Sequence, residues 1–314
     1  MCSNLVEKKG FSVVISTYSS DKKDYVLDCI SSLHKQSFVP NEILLVLDRN
    51  SALVNFFRSV VPADIKVVVS DGYGLSHARN AGVKHAKSEI IAFIDDDAVA
   101  DRDWLKNIFE NYSDPAVVGV GGIVNPFWGN LKPSTWFPEE LNWIIGCSYK
   151  GQSKRKECIR NPLGCNMSFR KSVFERVGYF RPDIGRIGKV LLDGEEPEFS
   201  MRIFNEIPGA KIYNDPSAKV FHKVSSNRLT FKYLWQRSFY QGFSKGLIND
   251  TLRKASKGLS LERRYLNYLL THSIKSRISK SNVFRNLSQL TMLFISSLMV
   301  FIGFTIGKVR AAVD

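Results

Sequence analysis

The stretch Ile90-Ile91-Ala92-Phe93-Ile94-Asp95-Asp96-Asp97 decides the architecture of this chain. Its five apolar residues, four of them β-branched or aromatic, have the composition of a strand buried on both faces. That strand runs straight into three carboxylates whose like charges repel, and a bound divalent cation is the usual compensation. In open α/β sheets ligands sit beyond the carboxyl ends of the strands, where this triplet falls. The competing account is a solvated acidic turn that caps the following helix.

Working outward, the upstream chain alternates apolar runs with helical spacing. Residues 11–15 form a first predicted strand that ends in Ser16-Thr17-Tyr18. Residues 24–35 place Val26, Leu27, Ile30 and Leu33 at helical intervals, and Pro40 closes the unit. A second strand over residues 42–47 ends at Asp48, and a short helix near residues 53–59 leads to a third strand over residues 65–69. A turn at residues 71–76 then opens a helix, with Ser76 as its expected N-cap. Units of this kind imply a Rossmann-like, mostly parallel mixed sheet flanked by helices.

Downstream, residues 103–112 read as a helix and 117–122 as a strand. Residues 125–151 are rich in Trp, Phe and Pro, a composition that suits a ligand pocket, a membrane surface or the core of a subdomain. Residues 161–169 read as a loop and strand, and residues 194–206 as a helix with Pro197 in its first turn. Two short strands are expected near residues 211–213 and 219–221, followed by His222. The boundaries expected are a nucleotide-binding half over 1–124, an acceptor and catalytic half over 125–228, a basic amphipathic helical segment over 229–284, and a transmembrane helix over 285–308.

Composition narrows the function. Hydrophobic content of 44% and charged content of 24% are globular values, whereas a net charge of +14 and a pI near 9.5 point to an anionic partner: nucleic acid, a phosphate-bearing substrate or an acidic membrane surface. Five cysteines without a C-x-x-C pair fit neither a zinc site nor a disulfide framework. Residues 1–10 lack the apolar core of a secretory signal. From Leu287 to Gly307 no residue is charged, a length sufficient to cross a bilayer of about 20 helical residues. Arg263, Arg264, Lys275, Arg277, Lys280 and Arg285 precede that run, so the basic cluster reads as a phospholipid-facing surface, with no nucleic-acid partner expected. The positive-inside rule then puts residues 1–285 on the cytoplasmic side of the cell membrane, behind a single C-terminal span.

Polar groups fall at successive strand ends: Thr17 and Tyr18, Asp48, Arg79 and Asn80, and Asp95 to Asp97. A carboxylate such as Asp48 can read a base or ribose hydroxyl, Arg79 can meet a diphosphate or a base, and two of the aspartates can hold Mg2+ or Mn2+. The series V-V-I-S-T-Y (13–18), Asp48, G-L-S-H-A-R-N-A-G (74–82) and F-I-D-D-D-A (93–98) resembles the signature of family-2 glycosyltransferases of the GT-A fold over roughly residues 11–225. Within that family, residues 136–151 and 160–170 are similar to archaeal glucuronosyltransferases acting on glucosyl-dolichyl phosphate in N-glycosylation.

The resemblance implies an inverting, metal-dependent transfer of a sugar, glucuronic acid or a hexose, from a UDP-sugar to a polyprenyl- or dolichyl-phosphate-linked glycan. It assigns Thr17, Tyr18, Asp48, Arg79, Asn80, Asp95 and Asp96 to the nucleotide-sugar, and Asp97, Asp95 and His222 to the metal. The catalytic base falls in G-E-E-P-E-F-S-M-R (194–202), at Glu196 where the family often has Asp, with Glu195 as the alternative. Arg228, Arg237 and Lys245 are further candidates for phosphate contacts that the sequence does not rank. The rival readings are a polyprenyl-phosphate sugar synthase, a surface-polysaccharide glycosyltransferase, a sugar nucleotidyltransferase and a membrane-tethered nucleic-acid binder.

Overall fold

The first half of the chain passes through β1 (Lys8–Thr17), α1 (Lys23–His34), β2 (Glu42–Leu47), α2 (Ser51–Val60), β3 (Lys66–Val69), α3 (Leu75–His85) and β4 (Ser88–Asp95). It continues through β5 (Ala98–Ala100), α4 (Trp104–Asn111), β6 (Val117–Phe127), β7 (Glu157–Cys158), β8 (Met167–Arg170), α5 (Lys171–Val177), α6 (Glu195–Glu206) and β9 (Lys211–Lys223). Helices α7 (Phe231–Leu247), α8 (Asn249–Lys254), α9 (Ser260–Tyr268), α10 (Ile274–Ile278) and α11 (Val283–Val313) follow. This computed structural model describes residues 8–186, 191–254, 258–278 and 282–313.

The strands form one sheet in the order β3-β2-β1-β4-β8-β6-β9-β5, with β7 paired to β9. Strands β3, β2, β1 and β4 are mutually parallel, and the register sets Ser16 beside both Val46 and Asp95. Their carboxyl ends therefore share one edge of the sheet. Successive residues of β1 fill opposite faces, as the twofold period of a strand requires. Val13 and Ile15 join the core under α1, α2 and α4, whereas Val14 joins the core under α3, α5 and α6. Both faces are buried, which is why these strands read as unbroken apolar runs.

Three local expectations change. The helix carrying Arg79 begins at Leu75, after Gly74 at φ 100°, and Ser76 lies buried inside its first turn without capping it. A left-handed glycine turns the chain there, a conformation costly for residues with a Cβ. The two short strands expected after residue 210 are one strand, β9, whose register against β6 shifts between Gly122 and Ile123. Strand β6 also runs on to Phe127, so it crosses the boundary expected at residue 124 and both halves share the sheet.

The tryptophans of the 125–151 segment are packing residues. Trp128, Trp136 and Trp143 lie against the larger core, Trp136 stacks on Phe231 at 4.4 Å, and the Trp143 indole donates to Tyr265 Oη at 3.3 Å. The helical segment after β9 is bound to the sheet domain by buried ion pairs. Arg277 reaches Glu140 at 2.8 Å, and Arg160 and Lys245 meet Glu262 at 2.7 and 2.8 Å. Burial opposes ionisation of Glu262, but Lys245 and Arg160 bring its pKa down to about 2. Part of the basic character read as a lipid-facing surface is thus spent inside the protein.

Helix α11 is long and apolar enough to cross a membrane. Its small residues face α7, and the two helices run parallel. Ser238 bonds Ser296 at 2.8 Å, and the Gly242 and Gly246 backbones meet Val300, Phe304 and Gly307. Gly303 and Gly307 return the contact against Phe239 and Phe243. Small residues four apart allow helix backbones to touch in this way. A Cβ on Gly303 would stand 2.1 Å from the Phe239 carbonyl oxygen. Gly303→Val should therefore destabilise the detergent-solubilised protein by at least about 1–3 kcal/mol, read as a lower Tm, whereas Thr305→Val on the exposed face should leave Tm unchanged.

Candidate active site

The three aspartates at the end of β4 each meet a cation from a different element. Arg79 of α3 lies 3.7 Å from Asp95, Lys22 at the start of α1 lies 2.6 Å from Asp96, and Arg228 lies 3.2 Å from Asp97. Lys22 also stands 3.7 Å from Asp97. The repulsion implied by the sequence is thus partly balanced by the protein itself.

Strand β9 supplies the fourth side. Its pairing with β5 sets His222 opposite Ala98, which brings His222 Nε2 to 3.2 Å from Asp97 Oδ1. Asp95, Asp97 and His222 each offer a ligand atom, all within 4.8 Å of one another. Two carboxylates and an imidazole at that spacing suit a divalent ion such as Mn2+ or Mg2+. The backbone of β9 carries this ligand across the sheet, which explains why residues 125 apart in sequence, 97 and 222, meet.

Electrostatics separate the aspartates. Burial, reinforced by the charge on Asp97, pushes Asp96 up to about 6. Burial also opposes the ionisation of Asp97, yet His222, Arg228 and Lys22 together hold it well below the ordinary carboxylate range. Of the two buried aspartates, Asp97 is thus the one that favours the ionised form a metal ligand needs.

On the opposite wall, Glu195 and Glu196 begin α6 and are both buried. Arg79 Nη1 donates to Glu195 Oε1 at 3.2 Å and to Glu196 Oε1 at 3.0 Å. One guanidinium therefore links the end of β4 to the start of α6. Burial raises both glutamates, Glu195 well above its ordinary value, and Arg79 only partly offsets that. Two buried carboxyls around one cation therefore hold a proton more readily than exposed glutamates do. Gly164 packs over them, since a Cβ there would stand 2.0 Å from Glu196 Oε1 and 2.6 Å from Arg79 Nη2.

The remaining expected residues fall as follows. Thr17 is buried beside Asp96, Tyr18 is 55% exposed at the mouth, and Asp48 sits at the end of β2, where burial raises its pKa. Asn80 uses both ends of its amide on the Phe180 backbone, at 2.8 and 3.0 Å, and so ties α3 to the loop before α6. Arg79, expected to meet a diphosphate or a base, is buried among Asp95, Glu195 and Glu196. Arg228 alone of the three unranked basic residues touches an aspartate of the triplet; Arg237 pairs with Asp193 and Lys245 with Glu262. Lys22 was missed because a lysine at a helix start looks like any solvated residue.

The sheet thus sets acidic residues at the end of β4 against a buried carboxylate pair, joined through Arg79. Glycosyl transferase family 2 matches over residues 12–178, and the chain belongs to that family. It is a glycosyltransferase. The chain is 32% identical over 303 residues to glucosyl-dolichyl phosphate glucuronosyltransferase of Haloferax volcanii, covering 94% of this chain and 95% of that protein. Succinoglycan biosynthesis protein ExoM of Rhizobium meliloti is 27% identical over 198 residues, 63% of this chain and 60% of that one. The fold is shared with mannosyltransferase PcManGT from Pyrobaculum calidifontis in complex with GDP-Man and Mn2+ (TM-score 0.57, 17% identity, 98% and 87% of the two chains). It is shared as well with GalNAc-T7 bound to UDP, GalNAc and Mn2+ (TM-score 0.53, 15% identity, 82% and 53%).

Removing Arg79 leaves Glu195 and Glu196 without their counter-charge. Arg79→Met should cost about 3–5 kcal/mol at neutral and higher pH, the range for one partner lost from a buried ion pair. The cost should shrink as pH falls and both carboxyls take protons. Thermal unfolding from pH 5 to 8 reads this, and a pH-independent loss would contradict it.

Proposed function

We propose that the protein transfers a sugar from a UDP-sugar to a sugar hydroxyl on a dolichyl-phosphate-linked acceptor, with inversion at the anomeric carbon. The observation that carries this reading is the Arg79 bridge, which sets a buried, proton-accepting carboxylate across one cleft from the aspartates. The Haloferax relative, alike over nearly its whole length, supports the acceptor class and glucuronic acid as the sugar.

In this mechanism Tyr18 and Asp48 receive the nucleoside, Thr17 lies beneath it, and Asp95 faces the ribose. Asp97, Asp95 and His222 would hold Mn2+ or Mg2+, which would supply positive charge to the leaving diphosphate. Arg228 and Lys22 add to the positive field at the same edge. Glu196 takes the proton of the acceptor hydroxyl as its oxygen bonds the anomeric carbon and the bond to the diphosphate breaks. Glu195 accepts from the same Arg79 Nη1 as Glu196, and so helps to fix the guanidinium against which Glu196 is placed. A synthase that attacks through a lipid phosphate oxygen would need no such base, so the buried pair favours the hydroxyl acceptor. Helix α11 holds the enzyme at the membrane, with residues 1–285 on the cytoplasmic side.

A panel of nucleotide-sugars with Mn2+ and a glucosyl-phosphoprenol acceptor tests the reaction; transfer from UDP-glucuronic acid is the expected outcome. Glu196→Gln should lower turnover by about 10²–10⁴-fold, the range for a lost general base, and Glu195→Gln by less. Near-full activity in both variants would instead favour the lipid-phosphate synthase. Because burial raises Glu196, the proton acceptor is lost as pH falls through a value above the usual carboxylate range of about 4.3. The acid limb of the rate profile should therefore lie above that value and disappear in the residual activity of Glu196→Gln. Asp97→Asn should abolish stimulation by Mn2+, and full activity in that variant or in excess chelator would rule out the metal assignment.

A further inference from the structure

Helix α11 has the length and hydropathy of a membrane span, but its inner face is not free to leave the catalytic domain. Gln289, Leu293, Ser296, Gly303 and Gly307 form a buried stripe along it. Gln289 donates to the Thr135 carbonyl at 2.9 Å and accepts from Arg277 at 3.0 Å, and Leu293 belongs to the main core. Further along, Ser296, Gly303 and Gly307 lie on α7. At a rise of 1.5 Å per residue, the stripe from Gln289 to Gly307 occupies about 27 Å of helix, close to the ~30 Å hydrocarbon core of a bilayer.

Helix α7 is in turn seated on the catalytic domain at both ends. Phe231 stacks on Trp136, Leu234 is fully buried, and Arg237 pairs with Asp193 and donates to the Leu191 carbonyl at 3.1 Å. Near its other end, Ser244 Oγ accepts from the Asp193 amide at 2.9 Å. If α11 crossed the bilayer, Asp193, Arg237 and Thr135 would lie at hydrocarbon depth, and α6 with its glutamates beside them. Ionised side chains at that depth cost at least about 2.5–3.5 kcal/mol each, and an irregular polar backbone is not tolerated there.

We propose that α11 does not cross the membrane but lies in one leaflet, parallel to its plane, with the catalytic domain seated on its inner face. The proposal rests on the membrane-held enzyme above and replaces the crossing that length alone implies. The outward face of α11 suits acyl chains: Phe284, Leu287, Phe294, Leu298, Phe301 and Ile306 are all exposed. Arg285 at one end and Lys308 at the other are exposed as well, and an in-plane helix keeps both at the headgroups of a single leaflet. The net charge of +14 makes that leaflet an anionic one. Both ends of α11 then remain on the side of the membrane that holds the active site.

The test uses the full chain with Cys2 and Cys158 replaced by serine. Single cysteines at exposed positions Leu287, Phe294, Phe301 and Val313 carry an environment-sensitive fluorophore. The protein is bound to vesicles containing phosphatidylglycerol, and lipids spin-labelled at shallow or deep acyl positions act as quenchers. The expected result is the same shallow depth at Leu287, Phe294 and Phe301, with Val313 open to a membrane-impermeant quencher added outside. Deep quenching at Phe294 and Phe301 with shallow ends, and Val313 protected, overturns the in-plane placement while leaving membrane attachment standing. Absence of vesicle binding, or shielding of the labels by a second copy of the chain without lipid, overturns both.

Discussion

The charge on Arg79 is the interaction on which the active-site architecture depends. A guanidinium 2% exposed to solvent must be fully paired, because burying an unpaired charge is prohibitively costly. Its partners come from two places far apart in sequence, Asp95 at the end of β4 and Glu195 and Glu196 at the start of α6. The pairing therefore fixes how far apart the end of β4 and the start of α6 stand. It also has a chemical effect, since a cation shared by several carboxylates stabilises only part of their total negative charge. Asp97, with cations of its own, stays ionised, while Glu195 and Glu196 are raised. Carboxylates of opposite proton affinity thus arise from the same residue class through their surroundings.

The strand framework was readable because burial on both faces leaves a plain signature: unbroken apolar runs ending in polar residues. The glutamates were readable as a pair, and their motif placed them. Their bond to Arg79 was not, because no local pattern encodes a contact between residues 79 and 196. The same holds for Lys22 and Asp96. Strand β9 was split in the sequence reading because Asp215 and Pro216 interrupt its apolar alternation, whereas in the fold a register shift against β6 absorbs them. At residue 76 a capping hydroxyl was expected, but the turn uses the left-handed glycine before it.

The helical segment shows a different limit. Gly303 and Gly307 stand four apart in plain view, as do Gly242 and Gly246. Neither spacing means anything alone, since a small-residue pair becomes an interface only when another is set against it. The apolar run announced its affinity for lipid, while the partner on its other face lay some 60 residues upstream, as the difference between 303 and 242 shows.

Helix α7 touches α11 on one side and Asp193 on the other, and Asp193 is two residues from Glu195. Ser244 holds the backbone of residue 193 directly, so the first turn of α6 inherits any displacement of α7. Seating at the bilayer and placement of the proton acceptor are in this sense one mechanical linkage. A displacement of α11 would reach Glu195 and Glu196 through a lever only two helices deep.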